Sequence, residues 1–206
     1  SLVYTGNPVR REIAESIVVR EDAFEFFGLK SDKPTVLVLG GSLGARSINA
    51  AFNKNLHKLI DRGIQVIWQT GKGNLSSVSE NLKNGKGVFV TEFISKMNYA
   101  YKAADVVVSR ARAIALAEIC VCGKPSVLVP FPLAAEDHQT ANAMKLVQQN
   151  AALMVNDEEA KEKLIPALIA LMNNEAEQER MKNNIVKFAI PDADKRVAKE
   201  IIKIIS

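Results

Sequence analysis

Short runs of β-branched and other apolar residues alternate along this chain with longer stretches whose apolar positions recur every three or four residues. The runs at 35–39, 65–69, 87–91, 105–109 and 126–130, with a weaker one at 152–155, are continuous rather than alternating. That pattern marks strands covered on both faces of a parallel sheet. Between them, residues 45–60 carry Ile48, Phe52, Leu56 and Leu59 on one helical face, and 95–103, 113–121 and 139–149 read as further helices. After the last strand the pattern predicts helices alone, near 162–172, 176–188 and 192–205, with Asp192 placed to cap the last. Strand and helix alternating in this way predict an α/β fold: a Rossmann-like open parallel sheet with helices on both faces.

The first 33 residues break the pattern. A turn cluster, Thr5-Gly6-Asn7-Pro8, precedes short helical pieces near 11–13 and 21–27, and 28–34 leads into the first strand. This reads as a connecting segment, residues 1–33, outside the core of a domain spanning 34–206. A β/α domain approached through a linker suggests that a first half lies elsewhere.

Composition narrows the class. With 48% apolar and 24% charged residues the chain can bury a core and is not of the disordered class. No apolar run approaches the roughly 18 residues of a membrane span. Ser1–Gly6 lacks the order of a signal peptide and starts without Met, so a fragment or processed chain is expected. Cys120 and Cys122 suit neither a disulfide framework nor a zinc site and read as reduced, buried thiols of a cytosolic protein. The net charge of +4 comes from 27 basic and 23 acidic residues of alternating sign. Without a basic stripe interleaved with aromatics, nucleic acid is not the expected partner.

Candidate chemistry gathers at strand ends. Leu39-Gly40-Gly41-Ser42-Leu43-Gly44-Ala45-Arg46 follows one strand and opens a helix. Gly41, Ser42 and Gly44 there could let backbone amides and a helix N-terminus meet phosphate; the alternative is a tight turn with no ligand. The loop has neither the Walker spacing nor GxGxxG. A second glycine turn, Thr70-Gly71-Lys72-Gly73, falls on the same sheet edge, the crevice where open α/β sheets bind ligands. The backbone of Phe93-Ile94 could hydrogen-bond a flat base, or the pair could be core. Glu118 could take a ribose diol with its two oxygens, or be an ordinary solvated helix residue. Glu136-Asp137-His138-Gln139-Thr140 could read sugar hydroxyls, or form a helix-capping loop. His57 reads as a surface residue.

As a set, TGNPVR (5–10), GGSLGARSIN (40–49), TGKG (70–73), VTEFISKM (90–97), AADVVVSRA (103–111) and PFPLAAEDHQTANA (130–143) resemble the MurG family in order and spacing. That family adds N-acetylglucosamine from UDP-GlcNAc to lipid I, giving lipid II for peptidoglycan. The resemblance covers essentially all 206 residues and matches only the C-terminal, nucleotide-sugar-binding half of a two-domain GT-B glycosyltransferase. It implies Arg10 and Ser42 on the sugar–diphosphate, with Gly41, Gly44 and the helix start Arg112-Ala113-Ile114 beside it. It further implies Ile94, next to Phe93, on uracil, Glu118 on the ribose, and Gln139 with His138 on the GlcNAc hydroxyls. Transfer in this family is inverting and needs neither metal nor cofactor beyond the UDP-GlcNAc substrate. The implied partner is the N-terminal acceptor domain, and the implied location is cytoplasmic, at the inner face of the membrane, which is met only through that other half. An epimerase of the same GT-B shape is disfavoured by the pairing of TGNPVR with QTGKG.

Two departures from the family pattern alter these expectations. Arg112 stands where the family has glycine, and Ala115 and Ala117 stand where it has hydroxyl residues. If the backbone at 112 needs positive φ, arginine costs on the order of 1 kcal/mol or more, and its side chain either adds a cation to the diphosphate pocket or fills it. These changes predict a weakened or lost donor site. The alternative reading is a non-catalytic or engineered scaffold on this fold, forming a homo-oligomer through the altered helix. The second departure is that the acceptor half is absent from these 206 residues, so the chain alone is expected to be inactive in transfer.

Overall fold

The computed structural model describes residues 5–83, 85–134 and 137–205. Six parallel strands, β1 (Thr35–Leu39), β2 (Gln65–Gln69), β3 (Val88–Thr91), β4 (Val106–Ser109), β5 (Ser126–Leu128) and β6 (Leu153–Met154), form one sheet in the order β3-β2-β1-β4-β5-β6. This is the doubly wound order, and it reverses between β1 and β4, where such sheets open a ligand crevice. Pairing is in register from Thr35 opposite Gln65 to Leu39 opposite Gln69, and from Val36 opposite Val106 to Leu39 opposite Ser109. The observed strands are shorter than the apolar runs. Beyond Leu128 only the Val129 amide still bonds across, to the Ser109 carbonyl at 2.9 Å, before Pro130 withdraws a donor.

Alternate residues of the central strands feed two cores. On one face Val36, Val38, Val66, Trp68, Val106 and Val108 pack under α3 (Arg46–Ile60) and α8 (Ala160–Met172). The face expected of α3, with Ile48, Phe52, Leu56 and Leu59, is fully buried there. On the other face Leu37, Ile67 and Val107 pack under α5 (Met97–Ala103) and α6 (Ala113–Val121). Two short helices of the leading segment, α1 (Arg11–Ala14) and α2 (Arg20–Phe27), join that second core. Val9, Ile13, Ala23, Phe24 and Phe27 are buried in it. This corrects the expectation that residues 1–33 lie outside the core. Ala23, Phe24 and Phe27 fall on one face of α2, and that face finds α5. The remaining helices are α4 (Glu80–Lys83), α7 (His138–Val147), α9 (Glu175–Ile185) and α10 (Ala193–Ile205).

Candidate functional site

A cleft of about 670 Å³ opens at the carboxyl ends of β1, β2 and β4, the size of a small-molecule site. Its floor is Leu39, Gln69 and Ser109; its walls are Pro8 and Arg10, Gly41, Phe93 and Met97, and the first turns of α6 from Arg112 to Ala115, with Glu118 behind them.

The two glycine turns interlock at one side. Gly44 and Gly71 both have positive φ, +82° and +84°, and a Cβ on Gly71 would lie 2.0 Å from the Gly44 nitrogen. Both glycines are therefore required for one loop to sit on the other, whatever else they do. The Ser42 carbonyl accepts from the Lys72 amide at 2.9 Å, which ties the loops further. Of the glycine-loop candidates only Gly41 lines the cleft; Ser42 is exposed beside it.

Arg112 occupies the N-cap position of α6 with φ −72° and ψ 141°. This is ordinary extended backbone, so the strain expected of a non-glycine residue is absent. The side chain lies at the cleft wall against Gly41: a Cβ added to that glycine would be 2.9 Å from Arg112 Nη1. Neither α3, capped by Ala45, nor α6 has a side-chain cap bond. First-turn amides at both helix starts are thus left for water or a ligand, and each start carries the partial positive charge of its helix.

Glu118 is 4% exposed and belongs to a buried cluster. Its Oε1 accepts from Arg10 Nε at 2.8 Å, and its Oε2 accepts from Arg10 Nη2 at 3.1 Å and from the Tyr101 hydroxyl at 3.2 Å. Burial alone would lower the Arg10 pKa; hydrogen bonding and charge from Glu118 outweigh it and hold the guanidinium above its usual value. Burial, then the Glu118 charge, pushes Tyr101 well above the usual phenol range, so it stays an O–H donor. Residues the resemblance assigned to separate parts of a ligand thus bind each other here.

The other candidates are placed differently. Ile94 is buried, and its N–H donates to Gln69 Oε1 at 2.9 Å, while Phe93 is exposed at the cleft wall. Gln139, also buried, accepts from the Phe131 amide through Oε1 at 3.1 Å and does not line the cleft. His138 opens α7 and is exposed. Asp137 holds the N-cap position with φ 50° but makes no side-chain cap bond, and Glu136 lies outside the described residues. His57 is exposed.

Three residues of the site were not singled out from sequence. Gln69 and Tyr101 are described above. Arg110, buried below the cleft, donates to the carbonyls of Val129 and Pro130 at 3.1 and 3.2 Å and to Ser47 Oγ at 3.2 Å, and pairs with Asp157. It ties the ends of β4 and β5 to α3. The available signal was position: Gln69 and Arg110 sit at strand ends facing the switch point. Cys120 and Cys122 are free thiols, and burial pushes both to about 12, so they stay protonated and unreactive. Among the described residues no group of His, Cys, Asp and Glu could hold a metal ion, and no helix is long and apolar enough to cross a membrane.

A doubly wound parallel sheet with glycine turns and a buried carboxylate at its switch point defines a Rossmann-like domain of the GT-B glycosyltransferase class. The family model for the glycosyltransferase family 28 C-terminal domain matches residues 35–197, and the chain belongs to that family. It is 47% identical over 205 residues to the UDP-N-acetylglucosamine–N-acetylmuramyl-(pentapeptide) pyrophosphoryl-undecaprenol N-acetylglucosamine transferase of Cytophaga hutchinsonii, covering 100% of this chain and 55% of that protein. It is 45% identical over 206 residues to the transferase of the same name from Parabacteroides distasonis, covering 99% and 56%. The solved structure of Acinetobacter baumannii MurG superposes with a TM-score of 0.74 at 29% identity, over 93% of this chain and 55% of that one. The chain thus spans about half the length of the curated relatives it matches.

Proposed function

We propose that this chain is the donor-binding half of a MurG-type N-acetylglucosaminyltransferase, holding UDP-GlcNAc for transfer to lipid I in peptidoglycan synthesis. The observation that carries the reading is Glu118: a nearly buried carboxylate at a cleft whose other walls include Gly41, the uncapped start of α6 and the Arg112 guanidinium. The ribose diol donates to Glu118. The diphosphate lies between Gly41, the α3 and α6 amides and Arg112, with Ser42 and Gly44 beside it. Charge that grows on the diphosphate as it leaves the sugar is stabilised there by fixed dipoles and a cation, without a metal. Uracil packs by Phe93 and bonds the backbone of Ile94, which requires Gln69 to yield the Ile94 N–H or the base to use the carbonyl. His138, exposed at the start of α7, faces the GlcNAc hydroxyls, and Gln139 joins it when the Phe131 amide gives up its Oε1.

Arg10 has to move for this to occur. It holds both oxygens of Glu118, and its side chain is 42% exposed on the leading segment. A ribose that takes its place frees the guanidinium for the diphosphate, which reconciles the two roles the resemblance implies. Arg112, unstrained and lying against Gly41, supports an added cation rather than a plug. The exposed residues at the start of α6, Arg112, Ala113 and Ile114, are the cleft's own wall, so self-association through them would compete with the donor. The acceptor lipid, the catalytic base and attachment to the inner membrane face belong to the other half, so this chain binds donor and does not transfer it.

Calorimetric titration with UDP, UDP-GlcNAc and ADP tests the reading. Uracil-selective heat is expected even at a Kd near millimolar, about −4 kcal/mol. Absence of heat with both uridine nucleotides contradicts it.

A further inference from the structure

We propose that Tyr101 is the positioning residue of the ribose site, holding Oε2 of Glu118 so that the carboxylate keeps a fixed plane toward the cleft when Arg10 lets go. The proposal rests on the reading of Glu118 as the ribose acceptor and adds to it a residue that touches no ligand. Tyr101 is 2% exposed, on α5, and its hydroxyl reaches Glu118 across the interface with α6 at 3.2 Å.

The argument is one of acceptor sites. An ionised carboxylate offers about four lone-pair positions. Arg10 uses two and Tyr101 uses a third. One position is left, whereas a vicinal diol gripped through both hydroxyls needs two. One of the present donors must therefore leave. Arg10 is on the half-exposed side chain of the leading segment and can rotate into the cleft; the Tyr101 ring is fixed in the core and cannot. With Arg10 gone, the terminal torsion of Glu118 is soft, since sp³–sp² torsions are broad, and a buried carboxylate without partners is costly. The Tyr101 hydroxyl answers both: it satisfies one lone pair and fixes the plane in which the others point. Burial and the Glu118 charge hold its pKa well above the usual phenol range, which keeps that hydroxyl a donor at neutral pH.

The test uses the intact chain, the Tyr101→Phe variant, and two probes, UDP and 2′-deoxy-UDP. Wild type is expected to prefer UDP by about tenfold or more, the worth of one hydrogen bond to a charged group. Tyr101→Phe keeps the ring and its packing, and is expected to cut that preference to within about threefold, mostly by weakening UDP. If the variant weakens both nucleotides equally, or leaves the preference unchanged, Tyr101 is packing only and the proposal is overturned while the ribose site stands. If wild type binds UDP without preferring it to the deoxy form, the reading of Glu118 fails, and the proposal with it. In case Tyr101→Phe does not fold, exchange of the Tyr101 hydroxyl proton is followed in wild type through the deuterium isotope shift on its ζ-carbon. Slow exchange that persists with UDP bound is expected; loss of protection on binding overturns the proposal.

Discussion

At the amino ends of the strands, Gln65 bonds the Lys30 amide and carbonyl at 2.8 and 2.7 Å, Asp105 takes the Thr35 amide and Arg20 at 2.8 Å each, and Lys124 donates to the Ala104 carbonyl at 2.6 Å. At the carboxyl ends, Glu118, Arg10, Gln69 and Arg112 are polar groups of the same kinds, but they surround an open cleft of about 670 Å³. The amino edge uses these polar side chains to close backbone groups, and the pocket beside them, at Lys30, Lys33 and Lys86, is smaller, about 230 Å³. The carboxyl edge keeps helix amides uncapped and a carboxylate facing space. Buried polarity alone does not mark a site; buried polarity whose partners can be exchanged does. Arg10, half-exposed on a lead-in segment, is the partner the proposed function exchanges, whereas Arg20 at the other edge is held by Asp105 and the Lys102 carbonyl.

The largest effect should come from the interlock under the cleft. Gly71→Ala places a Cβ 2.0 Å from the Gly44 nitrogen at φ +84°, and urea unfolding should show a loss above about 3 kcal/mol or no folded protein. Glu118→Gln then weakens UDP by roughly 10- to 100-fold, from loss of hydrogen bonds to a charge, and also costs stability, because it breaks the buried pair with Arg10. Asp105→Asn should touch stability alone, costing about 1–2 kcal/mol in unfolding and changing UDP affinity by less than about twofold. An Asp105 variant that loses nucleotide binding while remaining folded would break the comparison.

A pH series sharpens it further. Desolvation lowers the half-buried Lys124 to about 8 from the usual 10.5. The folded chain therefore holds fewer protons than the unfolded chain between those values, so Lys124 makes stability rise with pH from about 8 to 10.5. Cys120 and Cys122, raised from 9.0 to about 12, act in the opposite sense above pH 9. The difference between wild type and Lys124→Met isolates the rise between about pH 8 and 9; above that Cys122, whose thiol pKa Lys124 itself lowers, contributes to the difference. UDP binding should not follow it. The smallest effect is Arg112→Gly, a weakening of UDP by about two- to fivefold that fades as salt screens the exposed charge.

Much of this fold could be read from sequence because the sheet is buried on both faces, which turns strands into unbroken apolar runs. The helix starts of α6 and α3 followed from glycine and strand ends. What could not be read are relations between distant residues. Glu118 and Arg10 are 108 positions apart, and no spacing shows that one occupies the other. Gly44 and Gly71 each look like ligand-binding glycines until a Cβ is built and meets the other loop. The leading segment looks like a linker because α1 and α2 are short, and only packing against α5 and α6 shows Phe24 and Phe27 to be core. Arg112 looks strained by comparison with a glycine, yet its backbone needs no glycine conformation.

Nuclear magnetic resonance on the 22.5 kDa chain tests the central contrast most directly, by mapping amide shifts as UDP-GlcNAc is added. Shifts confined to the carboxyl edge, at Gly41, Ile94, Ala113 and Glu118, with Lys30, Gln65, Asp105 and Lys124 unmoved, are the predicted result. Shifts centred on the amino edge, or none at saturating nucleotide, would contradict the assignment of the donor site.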